Sequence, residues 1–385
     1  MVDIAVVGGG IVGVFSALTL AEMGYSIAVI EAEELGSGLT SLAAGIFSVQ
    51  LPLKIDYELV KRSLDIISKL EEQYDKKLFK KTGLLTITKD DEKGEKLIRS
   101  LRKITNIEIL DCNDIRTKWP DLNVSEDEIA LLTNDDGVLD TGTLINIANR
   151  RLKDLNAEIL GHTVVEEVIE PNIVLLENNK VIKPNIAVIV ALGPNTPNVL
   201  KRFSNQLPRI YYYRCQIHSL CFDKDIKVPP LMWDLNNYFF LLLEHERRAI
   251  IGNGLLEVIH EIDEGYQTSE AIRNDVISGL LSRIPEGEKS VLSDEWSAPC
   301  EVSCDGLPIV GRINGSDIVV AYGLNGYGLM RGPAIGEIAA YMALEKSHEL
   351  MSELFRPSVK RPVLNCVLEL FNPTYCCLES PNTIS

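Results

Sequence analysis

Apolar and polar positions alternate with two periods along this chain, and the changes of period divide it into elements. Asp3 to Val7 is a short apolar run, and Ile11 to Met23 follows with helical spacing that turns Ala17, Leu18 and Ala21 inward. Ser26 to Ile30 reads as a second strand ending at Glu31. Leu51 to Tyr74 carries Leu59, Leu64, Ile67 and Leu70 along one side with charges opposite, the pattern of an amphipathic helix. Leu84 to Thr88 reads as a strand and Glu92 to Ile104 as a helix. Residues 207 to 260 shift to alternating aromatic and aliphatic runs at Tyr211 to Leu220, Tyr238 to Leu243 and Ala249 to Gly252, which predict neighbouring strands, with Glu246 and Arg247 at a hairpin turn. Helices are expected over Glu264 to Ile284 and Ile335 to Leu344.

Between the first run and the first helix sit Gly8, Gly9, Gly10 and Gly13. A glycine-rich turn between strand and helix brings main-chain N–H groups and a helix N-terminus against a pyrophosphate, and a side chain at Gly10 would stand in the way. Gly8 permits the tight turn, and Gly13 permits close packing of the helix. Glu31, ending the second strand, is placed to accept hydrogen bonds from an adenosine ribose and disfavours a 2'-phosphate by repulsion. The glycines alone do not specify a dinucleotide; their place between strand, helix and second strand with a terminal acid does. NAD and FAD remain equally compatible at this point.

The chain has 385 residues, 46% hydrophobic, so it can bury a core divided between two domains. A formal net charge of -17 without a basic patch argues against nucleic acid and anionic membranes as partners. Met1 leads directly into the first apolar run, with no basic leader and no stretch long enough to span a bilayer, so a cytoplasmic location is the expectation. The eight cysteines and five histidines form neither a disulfide framework nor a metal-ligand pattern, and no metal is expected.

Residues 36 to 48 read Gly-Ser-Gly-Leu-Thr-Ser-Leu-Ala-Ala-Gly-Ile-Phe-Ser. This resembles the second flavin-contact segment of the D-amino-acid oxidase, glycine oxidase and sarcosine oxidase superfamily. Further resemblances follow in order: Asp136, Gly137, Val138 and Asp140; the strand ending at Leu192 and Gly193; Asp305 to Gly311; and Gly332 to Glu337. The resemblance implies an α/β plus α+β fold, a Rossmann-like FAD-binding domain with an inserted, mainly antiparallel-sheet substrate domain. The FAD domain would comprise residues 1–75, 135–205 and 292–350, and the substrate domain 76–134 and 206–291. Residues 351–385 would form a tail acting as a lid or subunit contact, or packing on its own domain.

FAD is thus the implied cofactor. Gly8, Gly10, Ile11, Val12 and Gly13 would meet its diphosphate, and Glu31 and Ala32 its ribose. Thr40, Ser41, Ala43, Ala44 and Gly45 would form the second contact, with Val165 at the adenine and Ala191 and Gly193 at a further approach. Cys300, Gly306, Gly326, Tyr327, Gly328 and Leu329 would border the flavin. The glycines at 323, 326, 328, 332 and 336 precede the expected helix at Ile335, and such a turn can aim N–H groups at an anionic oxygen; a loop needing glycine only for its backbone angles is the other reading.

The chemistry implied by the resemblance is oxidation of a carbon–nitrogen bond by hydride transfer to flavin N5, which requires neither a protein nucleophile nor a metal. No catalytic residue is therefore expected. Glycine oxidase-like members carry an arginine carboxylate clamp where this chain, reading Trp-Ser-Ala-Pro-Cys-Glu-Val-Ser-Cys-Asp-Gly, has Cys300, and cysteine cannot replace that charge or fork geometry. Arg331 and Arg214 are the candidate replacements in the substrate site, alongside Tyr238, Tyr327 and Glu301, which could orient an amine or serve as a loop carboxylate. Cys300 and Cys304 are read as free thiols, with covalent flavin attachment the alternative. His218 and His245 show no relay partner in sequence.

The chain resembles the archaeal dye-linked proline dehydrogenase branch more than glycine oxidase. The expected substrate is a proline-like, sarcosine-like or small D-amino acid, with an unidentified electron acceptor and possible homo- or hetero-oligomerisation. The alternatives are an FAD-bearing electron-transfer or scaffolding subunit, motivated by the missing clamp, and an NAD-dependent dehydrogenase.

Overall fold

The structure is a computed structural model and describes residues 2–51, 53–303, 305–352 and 355–357. Most of the proposed tail, including Cys366, Cys376 and Cys377, lies outside the described residues, as does Cys304. The first apolar run forms the strand Ile4–Val7 at the interior of a six-stranded sheet, whose order is Ile309–Arg312, Ile318–Tyr322, Ala187–Val190, Ile4–Val7, Ile27–Ile30, Glu158–Leu160. All neighbours in it are parallel except the antiparallel edge pair formed by Ile309–Arg312 and Ile318–Tyr322. Ile4 to Val7 are wholly buried because both faces of the sheet are covered, which explains an apolar run without alternation.

On one face pack the helices Ile11–Glu22, Lys54–Tyr74, Thr141–Asp154 and Gly328–Ala343. On the other lies a three-stranded antiparallel sheet, Val165–Ile169, Ile173–Leu176 and Val181–Ile182. The last helix begins at Gly328, earlier than the expected Ile335, and takes Pro333 into its interior. Gly332 and Gly336 therefore sit within the helix and not in a turn before it. A Cβ on Gly332 would come within 2.6 Å of Ile11, and one on Gly336 within 2.7 Å of the Val12 carbonyl. Gly332 makes room for the Ile11 side chain and Gly336 for the Val12 backbone, so the two helices pack closely and the anion-turn reading is corrected for both.

The second sheet has nine strands and is mainly antiparallel. Its order is Val258–Ile259, Ile210–Cys221, Arg248–Asn253, Phe239–His245, Leu231–Asp234, Leu84–Lys89, Glu128–Thr133 and Glu108–Leu110, with Val291–Ser303 paired to Ile210–Cys221. That last pairing runs from Ile210 opposite Ser303 to Cys221 opposite Val291, so the sheet continues past residue 291. Strand alternation sorts its side chains by face: Met232, Phe239 and Leu241 pack with the helix Glu270–Arg283, while Leu231, Trp233, Phe240 and Leu242 join the core shared with the first sheet. The helix begins at Glu270 because Ile262–Tyr266 forms a separate 3-10 turn, later than the expected start at Glu264. No helix among the described residues is long and apolar enough to cross a membrane.

Candidate active site between the two sheets

The glycine turn answers three different physical demands. Gly8 has φ +104°, and a Cβ there would lie 2.4 Å from the Ala191 carbonyl oxygen. A Cβ on Gly13 would lie 1.9 Å from the Gly8 oxygen. Gly10 differs from both: its φ is -71°, and the nearest atom to a built Cβ is Thr40 Oγ1, at 3.4 Å. The protein's own packing scarcely opposes a side chain there, so the space that Gly10 leaves open belongs to a cradle that a ligand can fill. The helix Ile11–Glu22 starts at this point with no cap from Gly10 and no acid in its first turn; Thr40 Oγ1 accepts from the Ile11 N–H at 3.0 Å, and the helix's positive end is left toward the cradle. Glu31 completes the turn by accepting from the Gly9 N–H at 2.6 Å and the Glu33 N–H at 3.0 Å.

A cavity of about 530 Å³ runs from this turn to the inner face of the nine-stranded sheet. Gly8, Gly10, Ile11, Val12, Glu31, Ala32 and Thr40 line one part, with Ala43, Ala44, Gly45, Ala191 and Gly193. Cys300, Glu301, Gly306, Gly326, Tyr327, Gly328, Leu329, Arg331, Arg214 and Tyr238 line the rest. Three expected residues are not in the wall. Gly13 faces the Gly8 carbonyl, the Ser41 hydroxyl donates to the Ser37 and Gly38 carbonyls, and Val165 heads a strand of the covering sheet opposite Leu176.

The two arginines expected near the substrate each have a carboxylate partner. Arg331 is 1% exposed, pairs with Asp56 at 2.7 Å, donates to the Gly306 and Leu324 carbonyls, and lies 4.9 Å from the centre of the Tyr327 ring. Burial outweighs Arg331 and raises the Asp56 carboxyl above its ordinary value, while burial lifts the Tyr327 phenol to about 12. Arg214 pairs with Glu257 at 3.0 Å and donates to the Glu264 carbonyl. Neither guanidinium stands as an unpaired cation in the cavity wall.

Glu301 is tied down on one side. Its Oε1 accepts from the Gly323 N–H at 2.6 Å and the Leu324 N–H at 3.2 Å, holding the loop before the last helix, while Oε2 has no hydrogen-bond partner. Burial pushes its carboxyl up to about 7. Tyr238 sits just before the strand Phe239–His245 with φ 54°, which turns it out of the strand. His218 is buried with Nε2 3.7 Å from Glu295, an acidic neighbour not visible in sequence, but neither residue is in the cavity wall.

Several wall residues escaped sequence reasoning. Trp233 and Phe240 come from neighbouring strands, and Trp296 donates its indole N–H to the Leu42 carbonyl at 2.8 Å, joining the sheet to the 36–48 segment. Cys215 meets Cys300 with the two sulfurs 2.8 Å apart. Alternation along Tyr211 to Leu220 could have put Tyr213 and Cys215 on one face, but only the pairing with Val291–Ser303 brings Cys300 to them. No cluster of three or more potential metal ligands occurs among the described residues.

The fit to a dinucleotide rests on the open space at Gly10, the helix start that lacks a capping side chain at Gly10, and the adjoining carboxylate of Glu31. A family model described as FAD dependent oxidoreductase matches residues 3–342. The monomeric sarcosine oxidase of Bacillus sp. (strain B-0618) is 24% identical over 395 residues, covering 94% of this chain and 96% of that protein. The structure of L-proline dehydrogenase from P. horikoshii superposes with a TM-score of 0.82 at 24% identity, covering 93% of this chain and 97% of that one. Glycine oxidase from Geobacillus kaustophilus gives 0.80 at 18% identity, with 94% and 99% covered. At these identities the structural likenesses speak for the fold.

Proposed function

Because the chain belongs to the FAD dependent oxidoreductase family and has FAD as its cofactor, we propose that it oxidises the carbon–nitrogen bond of a small amino acid or secondary amine. Proline-like compounds, sarcosine-like compounds and D-amino acids are the candidate substrates. The observation that carries this reading is the continuity of one cavity from the Gly10 cradle to an aromatic wall on the second sheet. Its supports outside the molecule are the sarcosine oxidase and L-proline dehydrogenase to which the chain is similar.

FAD, when bound, supplies the two-electron acceptor for this oxidation. Gly8, Gly10, Ile11 and Val12 would hold its diphosphate on the helix N-terminus, with Glu31 and Ala32 at the ribose. Thr40, Ala43, Ala44 and Gly45 would form a second contact, with Ala191 and Gly193 beside them. Gly306, Gly326, Gly328 and Leu329 would border the ring end.

In this reading Trp233, Phe240, Tyr238 and Tyr327 exclude water and align the amine. Arg331, held by Asp56, positions Tyr327 through their stacked contact. Glu301 fixes the Gly323–Leu324 backbone and so the shape of the ring end. The nucleotide part takes residues 1–75, 135–205 and 305–350, and 76–134 with 206–303 form the substrate part, because Val291–Ser303 is a strand of the second sheet.

A second reading is favoured by a specific observation: the two cationic side chains of the described cavity wall are both paired. On that reading the chain is an FAD-bearing electron-transfer or scaffolding subunit whose substrate site lies with a partner. The deciding experiment follows the visible flavin absorbance of the purified protein anaerobically while L-proline, D-proline, sarcosine and small amines are added in turn. Bleaching by one compound supports the amine oxidation. An oxidised flavin left intact by all of them, then bleached only when a co-purifying chain is restored, overturns it in favour of the subunit.

A further inference from the structure

Cys215 and Cys300 belong to the paired strands Ile210–Cys221 and Val291–Ser303. Cys300 stands opposite Tyr213 and Cys215 opposite Ala298, which makes the cysteines diagonal neighbours on one face of the sheet. Their sulfurs are 2.8 Å apart, within contact of each other and close to the bond length of about 2.05 Å. Both thiols are partly exposed, and both line the cavity. The other described cysteines are placed differently: Cys112 is buried in a separate core and Cys221 is exposed at the end of its strand.

We propose that Cys215 and Cys300 are a redox-active dithiol, a modification site in the cavity wall that a low-molecular-weight disulfide converts to a cross-strand disulfide. The bland alternative is two small side chains packed together for their apolar character. The alignment of the two thiols favours reaction. Cys300 and Tyr213 both hydrogen-bond to Cys215; these contacts hold the Cys215 thiol below its ordinary range, and the same contact with Cys215, together with burial, pushes Cys300 well above it. Cys300 donates to the Cys215 sulfur, so Cys215 is the acceptor in this arrangement and the thiol assigned to react first, with Cys300 the resolving partner.

The exchange balances without a further oxidant. The Cys215 thiolate attacks one sulfur of the external disulfide, breaking that bond and releasing one thiolate. Cys300 passes its proton to the released thiolate and attacks the Cys215 sulfur, forming the protein disulfide and expelling the second fragment as a thiolate, which takes up from water the proton that Cys215 gave up on ionising. Two protein thiols are oxidised to one disulfide, and one external disulfide is reduced to two thiols. The bond joins two strands already paired along their length and removes two S–H groups from the wall beside Tyr213, so the reduced and oxidised proteins present different cavities.

The test uses the purified FAD-containing protein and oxidised glutathione, followed by acid quench, digestion without reduction and peptide mapping by mass spectrometry. The expected result is a Cys215 peptide linked to a Cys300 peptide, with two thiols lost on titration of the unfolded protein and recovered with dithiothreitol. In Cys300→Ser the same reagent is expected to leave a glutathione adduct trapped on Cys215. The wild-type map decides the matter if that variant does not fold. Free thiols at both positions, separate adducts on each, or preferential linkage of either to another cysteine would overturn the proposal.

Discussion

Gly10 and Glu301 show how single residues in this wall answer to different constraints. Because no non-neighbouring atom of the described residues lies closer than 3.4 Å to a Cβ at Gly10, Gly10→Leu is expected to keep the fold and lose most bound FAD, measured as flavin per protein after gel filtration. A retained stoichiometry would remove Gly10 from the diphosphate cradle. Glu301 bears on pH. Its folded carboxyl titrates at about 7 against an ordinary 4.5, so the folded state holds the proton more tightly and stability falls as pH rises from about 4.5 to 7. The effect is on the order of 3 kcal/mol at most. Glu301→Gln, which keeps an acceptor for the Gly323 and Leu324 N–H groups, should flatten that slope. Denaturant midpoints of wild type and variant across this window check it; parallel curves would show that Glu301 does not titrate there.

At the scale of elements, the contact between the first and last long helices rests on missing side chains. Gly332 meets Ile11, and Gly336 meets Val12, Phe15 and Ser16. Gly336→Ala puts a methyl group 2.7 Å from a carbonyl oxygen and 2.9 Å from the Ser16 nitrogen, and backbone atoms cannot turn aside as a side chain can. We expect a loss of roughly 1–3 kcal/mol, read from urea unfolding, because the helices must separate. The first helix was legible in the sequence from its spacing and the glycines before it. The start of the last was not: glycine and proline at 328, 332 and 333 have poor helical propensity, and tertiary packing against the first helix overrides it.

Across the whole molecule, distant chain segments are joined by buried charge. Arg283, 4% exposed, donates to both Glu128 oxygens and to Asp234, tying the helix Glu270–Arg283 to two strands of the larger sheet. Arg283 holds the Glu128 carboxyl down at about 2 despite burial. Arg283→Met strands two carboxylates in the interior, and the expected cost is about 3–5 kcal/mol, measured as a fall in the denaturant midpoint. An unchanged midpoint would mean that water reaches these groups.

What the amino-acid sequence determined by itself was the part built from short-range relations: strand, glycine turn, helix, second strand and Glu31. Glu31 reaches Gly9 across only 22 positions, and both ends of that contact are specified by local backbone geometry. The alternating runs after residue 207 likewise foretold a sheet, since a period of two is a property of each strand alone. Which strands become neighbours depends on packing between segments remote in the chain. Cys215 meets Cys300 across 85 positions and Arg283 meets Glu128 across 155. The pairing of Arg331 with Asp56 has the same origin. Only the tertiary structure decides which buried charge finds which partner, because each such group must be neutralised by whatever the fold brings beside it.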